Sequence, residues 1–263
     1  MGDEETAPSD RGAQTIEIRD WDWWSWFLQR QYYGAPEEEG RWQQTVSDVV
    51  SLLSLETPGR VLDLGSGCGE LLFGLAARGF DAIGIEASAK LAGECQDIAA
   101  RRVASARFVT GSMFETLPSG PFDAVTCLNT SFGYGSNEEN QQLIPTIARE
   151  LRAGGALLLD VIVADEAESF GCWEDDLDGG LLTVENSWDA DRHCMISHPS
   201  WSSETTQFVA PSPEYVRLYS MHEIEEMLDD AGLRHRRLPR GPGRTARNEH
   251  GPNHPATWVA RRR

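Results

Sequence analysis

Three glycines alternate along a short loop that follows an apolar segment. Residues 61–69 read VLDLGSGCG, in which Gly65, Gly67 and Gly69 stand two residues apart and Asp63 precedes the first of them by two. Glycine lets a ligand approach the backbone closely and adopts positive φ angles without strain. The pattern therefore indicates a ligand-binding loop. The negative charge of the neighbouring Asp63 limits which ligands could bind there.

A dinucleotide fits this loop poorly. Its fingerprint is G-x-G-x-x-G, and Glu70 stands here where the third glycine should be. A pyrophosphate would bind at the N-terminus of the following helix, where the Glu70 carboxylate would repel it. A ligand that carries an ammonium group suits Asp63 better.

A second acid, Glu86, closes the next predicted strand. A carboxylate in that position can accept hydrogen bonds from both hydroxyls of a ribose. With Asp63 suited to an ammonium group and Glu86 to a nucleoside, the expected ligand joins a cationic amino acid to a nucleoside. S-adenosyl-L-methionine has this composition.

The elements that must position these acids alternate between strands and helices. Apolar strands are predicted at residues 60–65, 80–86, 106–111, 122–129 and 156–163, and helices are predicted between them. This alternation is typical of a parallel sheet covered on both faces. After residue 163 the pattern changes to strands in hairpin order, at 181–189, 193–201 and 214–220. A helix with a possible capping box, Ser220 and Glu223, and two final strands complete the chain.

The N-terminal region is rich in tryptophan. Residues 1–15 have the composition of a disordered tail, and the segment WDWWSWFLQRQYYG that follows predicts a helix, with a second helix at 41–55. The tryptophans are expected either to form a hydrophobic core or to line an aromatic pocket for a cation.

Four motifs occur in the order and spacing of a known family: D-x-G-x-G-x-G, the acid that closes the second strand, FDAVTCLNTSFGY and ELRAGGALLLD. Over roughly residues 41–263 the chain resembles the class I S-adenosylmethionine-dependent methyltransferases. The segments SFGY and RLYSMHEIEEMLDDAGL resemble the small-molecule branch of secondary metabolism, which includes amino-sugar N-methyltransferases.

The resemblance implies an α/β fold with a Rossmann-like, seven-stranded, mostly parallel sheet and helices on both faces. It also implies an N-terminal helical cap and a β-hairpin insert over the active site. The expected divisions are a tail (1–15), the cap (16–56), the cofactor-binding core (57–163), the insert or substrate lid (164–219) and the C-terminal helix and strands that complete the core (220–263).

The resemblance also assigns roles to individual residues. Asp63 and the backbone of Gly65, Gly67 and Gly69 would hold the methionine portion of the cofactor, and Glu86 would hold the ribose. The other expected cofactor contacts are Ala87 beside the adenine, Ser112 and Met113 on either side of it, and Asn129 near the methionine amine or sulfonium. Ser112 replaces the acid that usually follows Gly111, which predicts a weaker hydrogen bond to the adenine. Arg41 either clamps the cofactor carboxylate, as an arginine does in similar enzymes, or is a solvated helix residue.

Candidate catalytic residues lie outside the glycine loop. The hydroxyls of Tyr33 and Tyr134 could orient an acceptor. His193 and His222 lie in the expected substrate region and could act as general bases, although a base is useful only if the nucleophile arrives protonated, and structural roles remain the alternative. The sequence contains no constellation of metal ligands, and no metal site is predicted.

Charge and cysteine content limit the possible partners. The net charge of −19 argues against a general affinity for nucleic acid or anionic membranes, and no apolar run reaches the length of about 18 residues that a membrane span needs. The five cysteines are widely spaced without a CxxC pair, which favours a reducing compartment. We therefore expect a cytoplasmic protein, monomeric or homodimeric, that acts on a small molecule.

Three functions remain open on the sequence. The first is methyl transfer from S-adenosylmethionine to a small acceptor, at nitrogen or oxygen rather than carbon, by in-line displacement. The second is an enzyme on the same scaffold that uses S-adenosylmethionine for other chemistry, such as a side-chain cyclisation that releases methylthioadenosine. The third is a protein that binds S-adenosylmethionine without turning it over.

Overall fold

The computed structural model describes residues 15–33, 43–102, 105–115, 117–165, 171–177, 179–239, 241–242 and 256–263. These residues form strands and helices around a central seven-stranded sheet. The strands are β1 (Thr15–Ile18), β2 (Arg60–Leu64), β3 (Asp81–Glu86), β4 (Ala106–Thr110), β5 (Phe122–Cys127), β6 (Leu151–Val161), β7 (Trp173–Leu177), β8 (Gly180–Asp189), β9 (Cys194–Ser202), β10 (Thr206–Val209), β11 (Glu214–Arg217), β12 (Leu233–Leu238) and β13 (Ala256–Arg262). The helices are α1 (Trp21–Tyr33), α2 (Gln43–Leu53), α3 (Glu70–Ala77), α4 (Ala89–Arg102), α5 (Asn137–Glu150) and α6 (Met221–Asp230).

The order of the central sheet is β12-β13-β6-β5-β2-β3-β4. Strands β6, β5, β2, β3 and β4 pair in parallel, whereas β13 runs antiparallel to both of its neighbours. The predicted seven-stranded, mostly parallel sheet is thus confirmed. Since β2, β3, β4 and β5 are parallel, their carboxyl ends meet at one edge, where a ligand is expected in an open α/β sheet.

Side-chain hydrogen bonds cap the start of three helices, and the predicted capping box of Ser220 and Glu223 is among them. Ser136 and Glu139 form a capping box at the start of α5, and Ser220 and Glu223 form another at the start of α6. The Ser88 hydroxyl accepts a hydrogen bond from the Leu91 N–H at 3.2 Å at the start of α4. These contacts satisfy N–H groups that would otherwise lack partners in the first turn of each helix.

The insert is a sheet of its own. Strands β10, β9, β8 and β7 are neighbours in this second sheet, β11 pairs with β9, and β1 joins β10 in parallel. The sequence predicted three of these strands in hairpin order but not β1, β7 or β10. Thr15, placed at the end of the expected tail, begins β1, and residues 1–14 lie outside the described part of the chain.

The tryptophan helix α1 packs against this second sheet. Trp24 is fully buried and lies in one apolar cluster with Leu182 and Val184 of β8. The Phe27 ring stacks on Trp23 at 4.8 Å and meets the edge of Trp201 at 5.6 Å. Of the two expectations for the tryptophans, these contacts favour a hydrophobic core.

Polar contacts join α1 to the core as well. The Arg30 guanidinium forms an ion pair with Glu94 of α4, and the indole N–H of Trp26 donates to the same carboxylate at 3.0 Å. The Ser88 hydroxyl donates to Asp22 Oδ1 at 2.5 Å. Helix α1 therefore bridges the central sheet and the insert. No helix in the described residues has the length and apolar character needed to cross a bilayer.

Candidate active site

The glycine loop connects β2 to α3 in a conformation that depends on glycine. Gly65, Gly67 and Gly69 have φ angles of 71°, 53° and 76°, in the left-handed region that side chains disfavour. The Gly65 N–H donates to the Ile85 carbonyl at 2.9 Å, which holds the loop against β3. A side chain at Gly67 would also collide with the end of the Gln29 side chain, so α1 lies against the loop.

Asp63 is buried one residue before the end of β2, with 5% of its surface exposed. Its Oδ1 accepts a hydrogen bond from the Thr126 hydroxyl of β5 at 2.6 Å. The pKa of Asp63 is raised to about 7, chiefly by burial; the Thr126 hydrogen bond lowers it in part, and the charge of Glu86 adds a smaller increase. No basic side chain in the described part of the chain contributes to this balance.

Glu86 ends β3, where the strand passes the glycine loop. Its carboxylate accepts the N–H of Gly67 at 2.9 Å and the N–H of Ser88 at 2.8 Å. Burial raises the pKa of Glu86, the backbone hydrogen bonds lower it, and the charge of Asp22 raises it again. One buried carboxylate thus fixes the loops after β2 and β3 relative to each other.

The residues expected beside an adenine lie in the loops after β3 and β4. Ala87 is exposed directly after Glu86. The Ser112 hydroxyl accepts a hydrogen bond from the Phe114 N–H at 3.2 Å, which turns the chain at the end of β4. A methyl group added to Gly65 would lie 3.6 Å from the Met113 terminal carbon, so Met113 reaches the glycine loop.

The loop after β5 is held by a residue that the sequence analysis did not single out. Asn129 and Thr130 have positive φ angles of 51° and 61°. Their N–H groups donate to Asp160 of β6, that of Asn129 to the carboxylate at 3.3 Å and that of Thr130 to the carbonyl at 2.9 Å. Asp160 is in turn fixed by the Thr257 hydroxyl at 2.6 Å. The Asn129 side chain is exposed at this edge of the sheet.

Tyr134 lies further along the same loop and meets the insert. Its hydroxyl is hydrogen-bonded to the Glu214 carboxyl group of β11. Burial, the charge and hydrogen bond of Glu214, and the charge of Glu86 together hold the pKa of Tyr134 well above its usual range. The influence of Glu86 places this pair on the side of the molecule that carries the glycine loop.

The remaining candidates are not brought into this cluster by the contacts of the described residues. His193 is an exposed residue of the turn between β8 and β9, with its ring 6.1 Å from Trp188. The His222 side chain is 80% exposed on α6 and lies 3.3 Å from Glu226 of the same helix. Tyr33 is the last residue of α1, but its side chain is outside the described part of the structure, and so is Arg41.

Comparisons with known proteins agree with this geometry. The model of the methyltransferase domain matches residues 61–155. YqeM, a predicted methyltransferase of Bacillus subtilis (strain 168), is 29% identical over 196 residues, which are 70% of this chain and 77% of that protein. An S-adenosylmethionine-dependent methyltransferase from Clostridium acetobutylicum ATCC 824 has a TM-score of 0.71 at 16% identity, over 90% of this chain and 96% of its own. The chain carries a methyltransferase domain and has the fold of S-adenosylmethionine-dependent methyltransferases.

A second solved structure covers the chain from end to end. It is a sugar N-methyltransferase from Streptoalloteichus sp ATCC 53650, with a TM-score of 0.63 at 21% identity, and the match covers 100% of this chain and 99% of its own. At 21% identity this similarity shows the fold alone. It extends that fold to the regions before and after residues 61–155.

The buried acids of this methyltransferase suit its cofactor. Burying a carboxylate is unfavourable unless a cation or hydrogen-bond donors compensate it, and Asp63 receives one hydroxyl donor and no basic partner among the described residues. The ammonium group of S-adenosylmethionine would supply the missing charge. The Glu86 carboxylate accepts backbone N–H groups, among them those of Gly67 and Ser88, and its remaining lone-pair capacity would serve a ribose hydroxyl.

Several residues that shape this site carry no signal in the sequence. Gln29, Asp22 and Glu214 reach the site from α1 and from the insert, and only the tertiary fold brings them there. Asp160 lies within an apolar strand that the sequence predicted. A single acid in the apolar run LLLDV is a signal for a buried carboxylate that needs hydrogen-bond partners.

We predict that Asp63→Asn separates stability from cofactor binding. The folded pKa of about 7 lies above the ordinary value of 3.8, so the stability that protonation of Asp63 provides is fully present below pH 4 and is lost as the pH rises to 7. At pH 8 the free energy of unfolding should therefore be about 1–3 kcal/mol higher for the neutral variant than for the wild type. Its affinity for S-adenosylmethionine should fall at least about tenfold, because the ammonium loses its charged partner.

Chemical denaturation and calorimetric titration at pH 8 measure both quantities for Asp63→Asn. A variant that is less stable than the wild type but binds the cofactor equally well would contradict the assignment of Asp63.

We predict a loss of cofactor affinity for Glu86→Ala. Removing the carboxylate should weaken S-adenosylmethionine binding by about 1.5–3 kcal/mol, the range for hydrogen bonds to a charged group. Asp81→Ala is the matched control, since Asp81 is an acid at the opposite end of the same strand, where it pairs with Arg60 and Arg107. Calorimetry on both folded variants tests this, and equal affinities would remove Glu86 from the ribose site.

Proposed function

We propose that this methyltransferase modifies a nitrogen or oxygen atom of a small polar molecule. The observation that carries this proposal is the contact of the loop after β5 with β11 of the insert, where the Arg217 N–H donates to the Gly133 carbonyl at 2.9 Å and Tyr134 meets Glu214. A polar pair in that position suits an acceptor that bears an amine or hydroxyl group. The acceptor would lie between the central sheet and the insert.

Bound S-adenosylmethionine supplies a methyl group that its sulfonium has already activated. The chain then has to hold the acceptor in line with that methyl group and exclude water, for which no covalent help from the protein is required. We assign cofactor binding to Asp63, Glu86 and the backbone of the glycine loop. Ala87, Ser112, Met113 and Asn129 complete this proposed set of cofactor contacts, and Tyr134 orients the acceptor.

Helix α1 supports the proposed exclusion of water. Its Gln29 contacts the glycine loop, its Arg30 pairs with Glu94 of α4, and its Trp24 is buried against the insert. A helix attached to both sheets can cover the space between them. We therefore assign α1 and the insert the role of lid over the acceptor.

The comparisons support the same class of acceptor. The neighbour from Streptoalloteichus is a sugar N-methyltransferase that matches this chain over its whole length. The structural match therefore includes α1 and the insert, which form the proposed lid, as well as the cofactor-binding core.

A product analysis tests the proposed function. We expect incubation with S-adenosylmethionine and a panel of small amines, sugars and phenols to yield S-adenosylhomocysteine together with a methylated acceptor. Asp63→Asn serves as the control with impaired cofactor binding. Mass spectrometry that finds methylthioadenosine would instead indicate chemistry on the cofactor side chain. Cofactor binding with neither product would indicate a binding protein, and either result would contradict the proposal.

A further inference from the structure

Helix α1 places a carboxylate at the start of α4. Asp22 lies in the first turn of α1. Its Oδ1 accepts two hydrogen bonds from the chain after β3, one from the Ser88 hydroxyl at 2.5 Å and one from the Lys90 N–H at 3.2 Å. The N–H groups in the first turn of a helix have no partner within that helix. Asp22 therefore supplies part of the cap of α4 from another element of the fold.

Ser88 connects this carboxylate to Glu86. The Ser88 side chain is buried, and its hydroxyl both donates to Asp22 and accepts the Leu91 N–H at 3.2 Å. The backbone N–H of the same residue donates to Glu86 Oε1 at 2.8 Å. Because the hydroxyl has a partner on each side, its hydrogen bonds fix where Ser88 lies. The N–H that holds Glu86 therefore depends on the contact with Asp22.

The other oxygen of the Glu86 carboxylate is supported from the same helix. Glu86 Oε2 accepts the Gly67 N–H at 2.9 Å, and the end of the Gln29 side chain lies against Gly67. Asp22 and Gln29 stand about two helical turns apart, so they lie on one face of α1. Helix α1 thus contacts both of the residues, Gly67 and Ser88, whose N–H groups hold the two oxygens of Glu86.

We propose that Asp22 is a positioning residue of the ribose site, which orients Ser88 from α1 and, through the Ser88 N–H, the carboxylate of Glu86. This inference rests on the assignment of Glu86 to the ribose under the proposed function. A carboxylate accepts hydrogen bonds best along its lone-pair directions, so a displaced Glu86 would bind the ribose hydroxyls less well. Asp22 acts through Ser88 and needs no contact of its own with the cofactor. Helix α1 thereby acquires a role in cofactor recognition besides that of a lid.

A second set of contacts between the same two helices provides a control. The Glu94 carboxylate of α4 pairs with Arg30 and accepts the Trp26 indole N–H at 3.0 Å. Glu94 lies in the second turn of α4, further along the helix than Ser88. Both Asp22 and Glu94 therefore join α1 to α4, but Asp22 is the one that bonds to the residue holding Glu86.

The preference of the site for an intact ribose tests the position of Glu86 directly. S-adenosylhomocysteine and its 2′-deoxy analogue differ in one ribose hydroxyl, and neither carries a methyl group to transfer. Calorimetric titration of each ligand into the full-length protein gives the ratio of the two affinities. We expect the wild type to bind S-adenosylhomocysteine at least about tenfold more tightly than the analogue, which is the effect of one hydrogen bond to a charged group.

Variants then assign this preference to the contact. Asp22→Ala removes both hydrogen bonds and should reduce the preference to less than about threefold. Asp22→Asn keeps an oxygen that can accept from the Ser88 hydroxyl and the Lys90 N–H, so it should stay within about twofold of the wild type. Ser88→Ala breaks the same contact from the other side and should act like Asp22→Ala. Glu94→Ala, the matched control, should keep the preference of the wild type.

The outcomes separate the inference from the proposed function. A preference that survives in Ser88→Ala overturns the inference whether or not Asp22→Ala folds, and the ribose assignment of Glu86 then stands. An equal loss in Glu94→Ala overturns it too, because any loosening of α1 would then have the same effect. A loss in Asp22→Asn would show that the charge of Asp22 matters rather than its hydrogen bonds, which also contradicts the positioning role.

The wild type by itself tests the assignment on which the inference rests. If it binds the two ligands equally well, both the ribose assignment and the inference are wrong, whereas formation of S-adenosylhomocysteine with a methylated acceptor would leave the proposed methyl transfer standing. If it binds neither ligand at millimolar concentration, the assigned cofactor site is wrong as well.

Discussion

The cost of burying two carboxylates at adjacent strand ends is the constraint on which this structure depends. Asp63 and Glu86 lie at the carboxyl ends of β2 and β3, each withdrawn from water and each raising the local negative charge. Hydrogen bonds from Thr126, Gly67 and Ser88 compensate part of that cost. A bound cation could compensate the rest of that cost, and S-adenosylmethionine is a cationic cofactor. The same arrangement that lowers the stability of the free protein therefore favours binding.

The second sheet and α1 both contact the edge of the central sheet that carries the glycine loop. Helix α1 lies against that loop at Gln29 and against the insert at Trp24, while β11 reaches the loop after β5 through Glu214. Since β1 joins β10, the N-terminal segment and the insert form one sheet although 187 residues separate Ile18 from Thr206 along the chain. The second sheet is thus built from the insert and the N-terminal segment together.

The sequence predicted the parts of the fold that local patterns determine. Apolar strands, alternating helices, the glycine loop and the capping box of Ser220 and Glu223 each depend on neighbouring residues, and the structure contains them all. The short strands β1, β7 and β10 were missed because their residues become strand-like only through pairing in the second sheet. Glu214 and Gln29 were missed for the same reason, since nothing near them in the sequence indicates that they approach Tyr134 and Gly67. The roles of His193 and His222 stay predictions, and the structure gives them no contact with the buried acids among the described residues.

The ionisation of Asp63 tests the central claim most directly. Carbon-13 NMR of labelled aspartate can follow its carboxyl group with pH in the free protein and in the complex with S-adenosylmethionine. The account predicts a pKa of about 7 for Asp63 in the free protein and a carboxylate that stays ionised at pH 6 once the cofactor is bound, because the ammonium favours the charged form. An ordinary aspartate pKa in the free protein, or a titration that the cofactor leaves unchanged, would contradict it.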